Sequence, residues 1–241
     1  MIKTNKKKQH KEDVPMDFKA KKIETLINKL KEWLEVSIMP LEGFTFIAED
    51  YTPHFDPPAP NAGWKEFQPG TRITGKDCHF WFHKSFHTSA VQPGQQILFR
   101  MLTSREGNWD SINPQCIILL NGKLVQALDV NHNDLLLEAN TEYDMYLNYY
   151  TGMLDGSMEF MPYLVTLDTR IEKLYYDLSV PYNSAMCMDE NSKDYTDIIG
   201  ALDAAVRLLD LREVYSESYY LSIDQALDEL NTNFYHGMCR D

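Results

Sequence analysis

Apolar residues recur at helical spacing near the start of the chain. On a helix, one face of residues 18–36 carries the apolar side chains and lysines lie opposite; the apolar positions are Ile23, Ile27, Leu30 and Leu34. This pattern predicts an amphipathic helix, and we assign residues 18–40 to an N-terminal helical segment. Residues 1–17 hold the chain's basic cluster and are expected to form a disordered, solvated tail; the cluster comprises Lys3, Lys6, Lys7, Lys8 and Lys11.

The pattern changes over residues 41–181. Short runs of aromatic and β-branched residues alternate there with clusters of Gly, Pro, Asn and Asp. Asn121-Gly122 supplies the two positive-φ residues of a type I′ turn between residues 116–120 and 123–128, which predicts a hairpin. The runs "LLLEANTEYDMYLNYY" and "GSMEFMPYLVTLDTRIEKLYYDLSV" are interpreted as further strands. We therefore predict a jelly-roll-like antiparallel β-sandwich.

Helical spacing returns in residues 182–241. One predicted helix carries Ile198, Leu202 and Val206 on a single face, and a second begins after Ser222 as a plausible N-cap. The fold class is therefore mainly β with flanking α, consisting of an N-terminal helix, a sandwich and a C-terminal helical pair. Residues 195–235 carry more apolar surface than one sandwich face should cover. We expect them to pack against another domain or to form a homo-oligomer.

Charge and composition narrow the set of partners. A net charge of −13 over 241 residues argues against a nucleic-acid partner, because phosphate recognition needs clustered Lys and Arg. The absence of a transmembrane-length apolar run argues against a membrane partner, and we expect a cytoplasmic protein. The widely spaced cysteines suggest free thiols in a reducing compartment; they are Cys78, Cys116, Cys187 and Cys239.

Three histidines and three tryptophans have spacings or residue types associated with ligand binding. His79, His83 and His87 lie in "HFWFHKSFH", whose aromatic residues predict a strand. Four strand residues span roughly 13 Å, so neighbouring members of this series should not share one metal ion. The tryptophans could stack on sugar rings or lie in the core; they are Trp64, Trp81 and Trp109.

The stretch "LDVNHNDL" has a His-x-Asp spacing found in metal-dependent hydrolases. Asp and Asn also build tight turns by bonding their own backbone, and a metal centre would need a further ligand nearby. We therefore favour a structural corner over a metal site, formed with the preceding hairpin by Asn121, Gly122, Asp129, Asn131 and His132. No nucleophile elbow, phosphate loop or His-Glu-x-x-His motif occurs, and no catalytic, cofactor-binding or metal-binding residue is assigned.

The run "NWDSINPQCIILLNGKLVQALDVNHNDLLL" resembles the N-terminal region of glycoside hydrolase family 38 α-mannosidases of the cytosolic and bacterial type. The matching pieces are Trp109-Asp110, Pro114-Gln115, Asn121-Gly122 and Asp129-x-Asn131-His132. The similarity extends over roughly residues 20–240. It departs at Thr74-Gly75, where the family commonly has an aromatic residue before the glycine.

The resemblance implies a parent enzyme that is a zinc-dependent, retaining α-mannosidase. Its nucleophile and zinc ligands belong to a catalytic domain beginning with His-x-His-x-Asp, a motif absent from this chain. The chain would then be a non-catalytic N-terminal module with no cofactor of its own, whose partner is the catalytic domain of the same polypeptide. Two other classes remain open: an independent carbohydrate-binding sandwich, and a small enzyme with an unrecognised carboxylate site.

Overall fold

The computed structural model describes residues 18–49, 56–107 and 113–235. The described residues form two compact units, which are a helical unit of residues 18–32 and 170–235 and a β unit within residues 33–169. The helices are α1 (Phe18–Trp33), α2 (Thr169–Ala185), α3 (Lys193–Val206) and α4 (Glu217–Glu229), and a π-helical turn, Leu230–Tyr235, follows α4. The mainly β fold class with flanking helices is confirmed.

The described strands pair antiparallel throughout. They are β1 (Glu35–Pro40), β2 (Thr45–Ala48), β3 (Lys65–Glu66), β4 (Arg72–Thr74), β5 (His79–His87), β6 (Gln95–Leu102), β7 (Arg105–Gly107), β8 (Gln115–Leu120), β9 (Lys123–Leu128), β10 (Asp134–Leu137), β11 (Glu142–Tyr150), β12 (Gly156–Glu159) and β13 (Met161–Asp168). Their sheets have the orders β1-β13-β6-β10, β3-β2-β5-β11-β8-β9 and β4-β12-β7.

The sandwich core is built from the inward-facing residues of these strands. Burial alternates along β6 and over much of β11, as expected where one face of a sheet is packed and the other is not. One apolar cluster includes Phe82 of β5, Phe99 of β6 and Met158 of β12, so all three sheets contribute to it. The predicted hairpin is present, and Asn121 and Gly122 have φ values of 52° and 74° at its turn.

Two predicted boundaries are wrong. The N-terminal helix ends at Trp33 rather than continuing to residue 40, because Glu35–Pro40 forms strand β1 on the edge of β13. Pro40 disfavours a helical conformation at the residue before it, and the β-branched Val36 and Ile38 suit a strand. Residues 169–180, predicted as strand, belong to α2 instead. Its buried residues follow helical spacing; they include Ile171, Leu174, Leu178, Tyr182 and Ala185.

Two predictions for the C-terminal helices also need correction. The N-cap of α4 is Ser216, whose hydroxyl accepts the backbone N–H of Tyr219, whereas Ser222 is buried inside the helix and donates to the Tyr219 carbonyl. With α2, the C-terminal helices number three in the described residues rather than two. The apolar stripes of α3 and α4 are buried within the chain itself; they include Ile198, Leu202, Val206, Tyr219 and Ile223. Leu221 of α4 is 59% exposed, and packing of residues 195–235 against another domain or a second subunit stays a prediction.

Candidate functional site

The face of the six-stranded sheet that points away from the core carries a row of aromatic and polar side chains. Residues 82 and 86 of β5 and residues 143, 145, 147 and 149 of β11 belong to the core cluster. Because side chains alternate along a strand, residues 79, 81, 83, 85 and 87 share the opposite face, which we call the outer face. Cross-strand pairing places Tyr146 beside His83 and Tyr150 beside His79 on this face. The sequence prediction that the three histidines lie on a strand is confirmed.

Trp64, His83 and Tyr146 form a contact group, which we call the outer aromatic cluster. The His83 and Tyr146 rings are stacked, with centroids 4.3 Å apart. The Trp64 indole meets both rings edge to face, at 5.9 Å from His83 and 6.0 Å from Tyr146. Trp64 directly precedes β3, so its ring reaches past β2 to contact side chains of β5 and β11. All three residues are partly exposed, so their rings are accessible to a ligand.

A carboxylate adjoins the outer aromatic cluster. The Oδ1 atom of Asp144 is 2.7 Å from His83 Nε2 and accepts a hydrogen bond of 2.8 Å from the Ser85 hydroxyl. Partial burial raises the pKa of Asp144, but the hydrogen bonds and the charge of His83 outweigh it and hold that pKa below its usual value. The side chain is 49% exposed. Asp144 is therefore an ionised, accessible hydrogen-bond acceptor at neutral pH.

The hairpin turn also positions Asp144. The backbone N–H of Asp144 donates to the Asn121 side-chain oxygen over 2.8 Å, and the Asn121 N–H donates to the Asp144 carbonyl over 2.9 Å. The tight turn at Asn121-Gly122 allows both bonds, because its left-handed backbone brings the Asn121 side chain towards β11. The predicted corner residue Asn121 thus supports the backbone of a residue in the candidate site.

A second His–Tyr pair lies further along the outer face. His79 and Tyr150 are stacked with centroids 4.7 Å apart. His79 Nδ1 is 3.4 Å from the Asn148 side-chain oxygen, and the Tyr150 hydroxyl donates to an Asp77 carboxylate oxygen over 3.0 Å. Each of the two pairs therefore combines a stacked imidazole and phenol with a nearby carboxylate.

The predicted sugar-contacting tryptophans have different outcomes. Trp64 lies in the outer aromatic cluster and is partly exposed. Trp81 also belongs to the outer face but is completely buried, so its indole offers no surface to a ligand in this conformation. Its Nε1 has no hydrogen-bond partner among the residues that the structure describes. Trp109 lies outside the described residues.

The His-x-Asp stretch forms a tight corner. The Asp129 carboxylate accepts the backbone N–H groups of Asn131 and His132, each over 2.7 Å, and the Asp129 N–H donates to the His132 carbonyl. Partial burial raises the pKa of Asp129, whereas these hydrogen bonds and His132 lower it below its usual value. The His132 side chain is 80% exposed, and its Nδ1 lies 3.2 Å from Asp129 Oδ1.

Asp134, the acid of the His-x-Asp spacing, is engaged elsewhere. Its two carboxylate oxygens accept hydrogen bonds of 2.6 and 2.8 Å from the Arg100 guanidinium. Across the part of the chain that the structure describes, no group of three His, Cys, Asp or Glu side chains could hold a metal ion.

The cysteines with described positions are free thiols. Cys78 is partly exposed, Cys187 is exposed and Cys116 is buried in the sandwich core, where burial raises its pKa well above the usual value. The fourth, Cys239, lies outside the described residues. Cys116 remains a protonated core residue at neutral pH, unsuited to nucleophilic chemistry.

Sequence reasoning did not find Asp144 or Tyr146. The alternation of polar and apolar residues in "EYDMYLNYY" could have indicated them. It puts core residues on one face of the strand and Asp144, Tyr146, Asn148 and Tyr150 on the other. The pairing of this strand with "HFWFHKSFH" was also needed, because only that register brings Tyr146 to His83.

Comparison with known proteins assigns no family to the chain. No protein-family model matches the chain, and no curated protein sequence matches it. In the described parts of the chain, no helix has both the length and the apolar character required to cross a membrane.

Proposed function

We propose that the β-sandwich is a non-catalytic carbohydrate-binding module whose contact residues are Trp64, Tyr146 and Asp144. The observation that carries the proposal is a partly exposed aromatic cluster beside a half-exposed carboxylate. A pyranose ring presents C–H groups on its faces and hydroxyl groups around its rim. Aromatic rings pack against the C–H groups, and a carboxylate oxygen accepts a hydroxyl hydrogen bond that fixes the orientation of the ring.

The electrostatics of Asp144 favour binding over acid catalysis. A general acid at neutral pH needs a raised pKa, so that it carries a proton to donate. The Asp144 pKa is lowered instead, because its Oδ1 atom is hydrogen-bonded to His83 and Ser85. The Asp144 side chain is 49% exposed, which makes the carboxylate accessible to a sugar hydroxyl.

The family resemblance suggests where such a module acts. We place it in a cytoplasmic, zinc-dependent α-mannosidase, beside a catalytic domain of the same polypeptide that holds the zinc; a homo-oligomer is the other partner to consider. Two of the described pieces that carry the resemblance, Asn121-Gly122 and Asp129 to His132, form tight turns, and a third, Pro114-Gln115, lies at the start of β8. Sequencing the gene beyond Asp241 tests this placement. We expect an open frame encoding His-x-His-x-Asp, and a stop codon there would contradict it.

We expect the chain to bind soluble mannan or mannobiose and Trp64→Ala to weaken that binding about tenfold. An aromatic contact contributes about 0.5–1.5 kcal/mol beyond its buried area, and about 1.4 kcal/mol corresponds to tenfold in affinity. Asp144→Asn keeps the shape of the side chain, and loss of its charge should also weaken binding about tenfold. Isothermal titration calorimetry measures both effects.

Tyr176→Ala is the matched control, because Tyr176 is an exposed aromatic residue of α2, outside the sandwich. We expect it to bind as the unmodified chain does, and circular dichroism should show all three variants folded. Absence of binding to a panel of α- and β-linked glycans at millimolar concentration would refute the proposal. An equal loss of binding in Tyr176→Ala would also refute it, because the effect would then not arise from the outer face.

A further inference from the structure

An open groove lies beside α1 in the helical unit. One wall is a single face of α1, because residues 18, 21, 22, 25 and 26 recur at helical spacing over two turns. The other wall is residues 206–211, at the end of α3 and just after it. The groove has a volume of about 580 Å³, and its apolar side chains are Phe18, Leu26, Val206, Leu209 and Leu211. Phe18 is 83% exposed, so part of this apolar surface is accessible to a partner.

Two cations at the rim of the groove share one buried carboxylate. Asp203 of α3 is 4% exposed; its Oδ1 lies 3.5 Å from Lys22 Nζ, and its Oδ2 lies 2.6 Å from Arg207 Nη2. The side chains of Lys22 and Arg207 are 37% and 64% exposed. A single carboxylate balances only one of the two positive charges, so one positive charge remains in excess at the surface of the groove.

The other charges beside the groove balance in pairs. Lys21 lies 2.6 Å from Glu24 on α1, and Arg212 lies 2.7 Å from Asp210 next to the second wall. The groove therefore carries a net charge of +1, although the whole chain carries −13. We call this apolar floor with its excess positive charge the basic groove.

The exposed face of α4 has the opposite charge. Four exposed residues recur there at steps of four, three and four positions, which places them on one side of the helix; they are Glu217, Leu221, Asp224 and Asp228. Leu221 is 59% exposed and lies between the carboxylates. Arg170 lies 4.0 Å from Asp224, so the three carboxylates and this cation carry a net charge of −2. We call this face the acidic stripe.

The acidic stripe complements the basic groove in charge and in polarity. An amphipathic helix binds in a groove through apolar anchors, with polar residues on either side. Leu221 provides the anchor for the apolar floor, and its flanking carboxylates match the excess positive charge at the rim. Within one chain α4 packs through its opposite face, which holds Tyr219, Ile223 and Ala226, and the stripe is exposed. The stripe is therefore available to a groove on another copy of the chain.

We infer that the chain self-associates by placing the acidic stripe of one copy in the basic groove of another. Each copy carries both surfaces, so a twofold-symmetric dimer makes the contact twice. Copies with a charge of −13 repel each other, but the Debye length is about 8 Å at physiological ionic strength, so opposite charges in direct contact outweigh distant like charges. This inference does not depend on carbohydrate binding by the sandwich.

Sedimentation velocity of the full chain, at concentrations from about 1 µM to about 1 mM, tests the contact. We expect a dimer that dissociates on dilution. Lys21→Glu changes the net charge of the groove from +1 to −1, and the joint substitution of Asp224→Lys and Asp228→Lys changes that of the stripe from −2 to +2. Each variant alone brings like charges together, and self-association should weaken at least about tenfold.

An equimolar mixture of the two variants should restore the dimer. In the mixed dimer the negative groove of one variant meets the positive stripe of the other, and the remaining groove and stripe keep their original charges. Both contacts then join opposite charges. Sedimentation of the mixture should therefore match that of the unmodified chain.

Lys193→Glu is the matched control, because Lys193 is an 87% exposed lysine of α3 that is paired with Asp197 and belongs to neither surface. It should self-associate as the unmodified chain does, and circular dichroism should show all variants folded, since the substituted positions are exposed. A monomer throughout the concentration series overturns the inference. A dimer that neither charge reversal weakens, a mixture that stays monomeric, or an equal weakening by Lys193→Glu overturns it as well, because the contact then lies elsewhere or the effect is one of total charge.

Discussion

Phe82→Ala should lower the free energy of unfolding of the sandwich by about 3–5 kcal/mol. Phe82 is fully buried near the middle of β5 and contacts four other aromatic rings. Its centroid lies 4.2 Å from that of Phe160, 5.2 Å from Phe67 and 5.7 Å from Tyr149. Removing the ring leaves a cavity between these neighbours that the sheets cannot close. Urea denaturation followed by circular dichroism measures the change.

Leu124→Ala is the control for this prediction. Leu124 is an apolar residue of the same sheet, but it is 61% exposed on β9. Its truncation should change the free energy of unfolding by no more than about 0.5 kcal/mol. A loss below about 1 kcal/mol for Phe82→Ala would contradict the placement of Phe82 at the centre of the core, because full burial of a phenylalanine contributes more than that.

Local patterns in the sequence predicted those elements whose signal is contained in a few neighbouring residues. The β8–β9 hairpin follows from Asn121-Gly122, since the turn needs two positive-φ residues and few other pairs tolerate that backbone. Strand β5 follows from its continuous aromatic run, and α3 from the spacing of Ile198, Leu202 and Val206. The Asp129 corner follows from side chains that bond their own backbone.

Elements whose conformation depends on distant partners were not predicted. Residues 35–40 were assigned to the N-terminal helical segment, yet they form β1 because β13 offers them an unpaired edge. Residues 169–180 are rich in aromatic and β-branched side chains, which favoured a strand, yet Ile171, Leu174 and Leu178 are buried at helical spacing. For residues 169–180 tertiary packing outweighs local propensity.

The candidate site was predictable only in part for the same reason. Trp64 could be named as an accessible aromatic residue, but its neighbours could not, because His83 and Tyr146 lie 19 and 82 positions further along the chain. Sheet order and register bring them together, and both arise from long-range pairing of β2, β5 and β11. The sequence also did not predict which tryptophans are exposed. Trp64 and Trp81 both lie in predicted β structure, but only Trp64 is partly exposed and Trp81 is buried.

Arg100 binds Asp134, the acid of the His-x-Asp spacing, and links three strands of the four-stranded sheet. Its guanidinium binds both oxygens of Asp134 on the adjacent strand β10 and the carboxylate of Glu35 on β1, two strands away on the other side. All three side chains are partly buried, with exposed fractions of 18%, 34% and 24% for Arg100, Asp134 and Glu35. The hydrogen bonds from the Arg100 guanidinium to Asp134 and Glu35 raise its pKa more than burial lowers it. Arg100 therefore remains charged at any accessible pH.

We therefore expect Arg100→Leu to cost about 2–4 kcal/mol of unfolding free energy, because it leaves two partly buried carboxylates without their cation. Arg100→Lys should recover only part of this, since an ammonium group cannot bind both oxygens of Asp134 in parallel. Combining Arg100→Leu with Asp134→Leu removes one of the unpaired charges and should restore stability relative to Arg100→Leu alone. A double-mutant cycle from urea denaturation measures the coupling. A coupling free energy near zero would show that Arg100 and Asp134 do not stabilise the sheet as a pair, and it would leave Asp134 available to other partners.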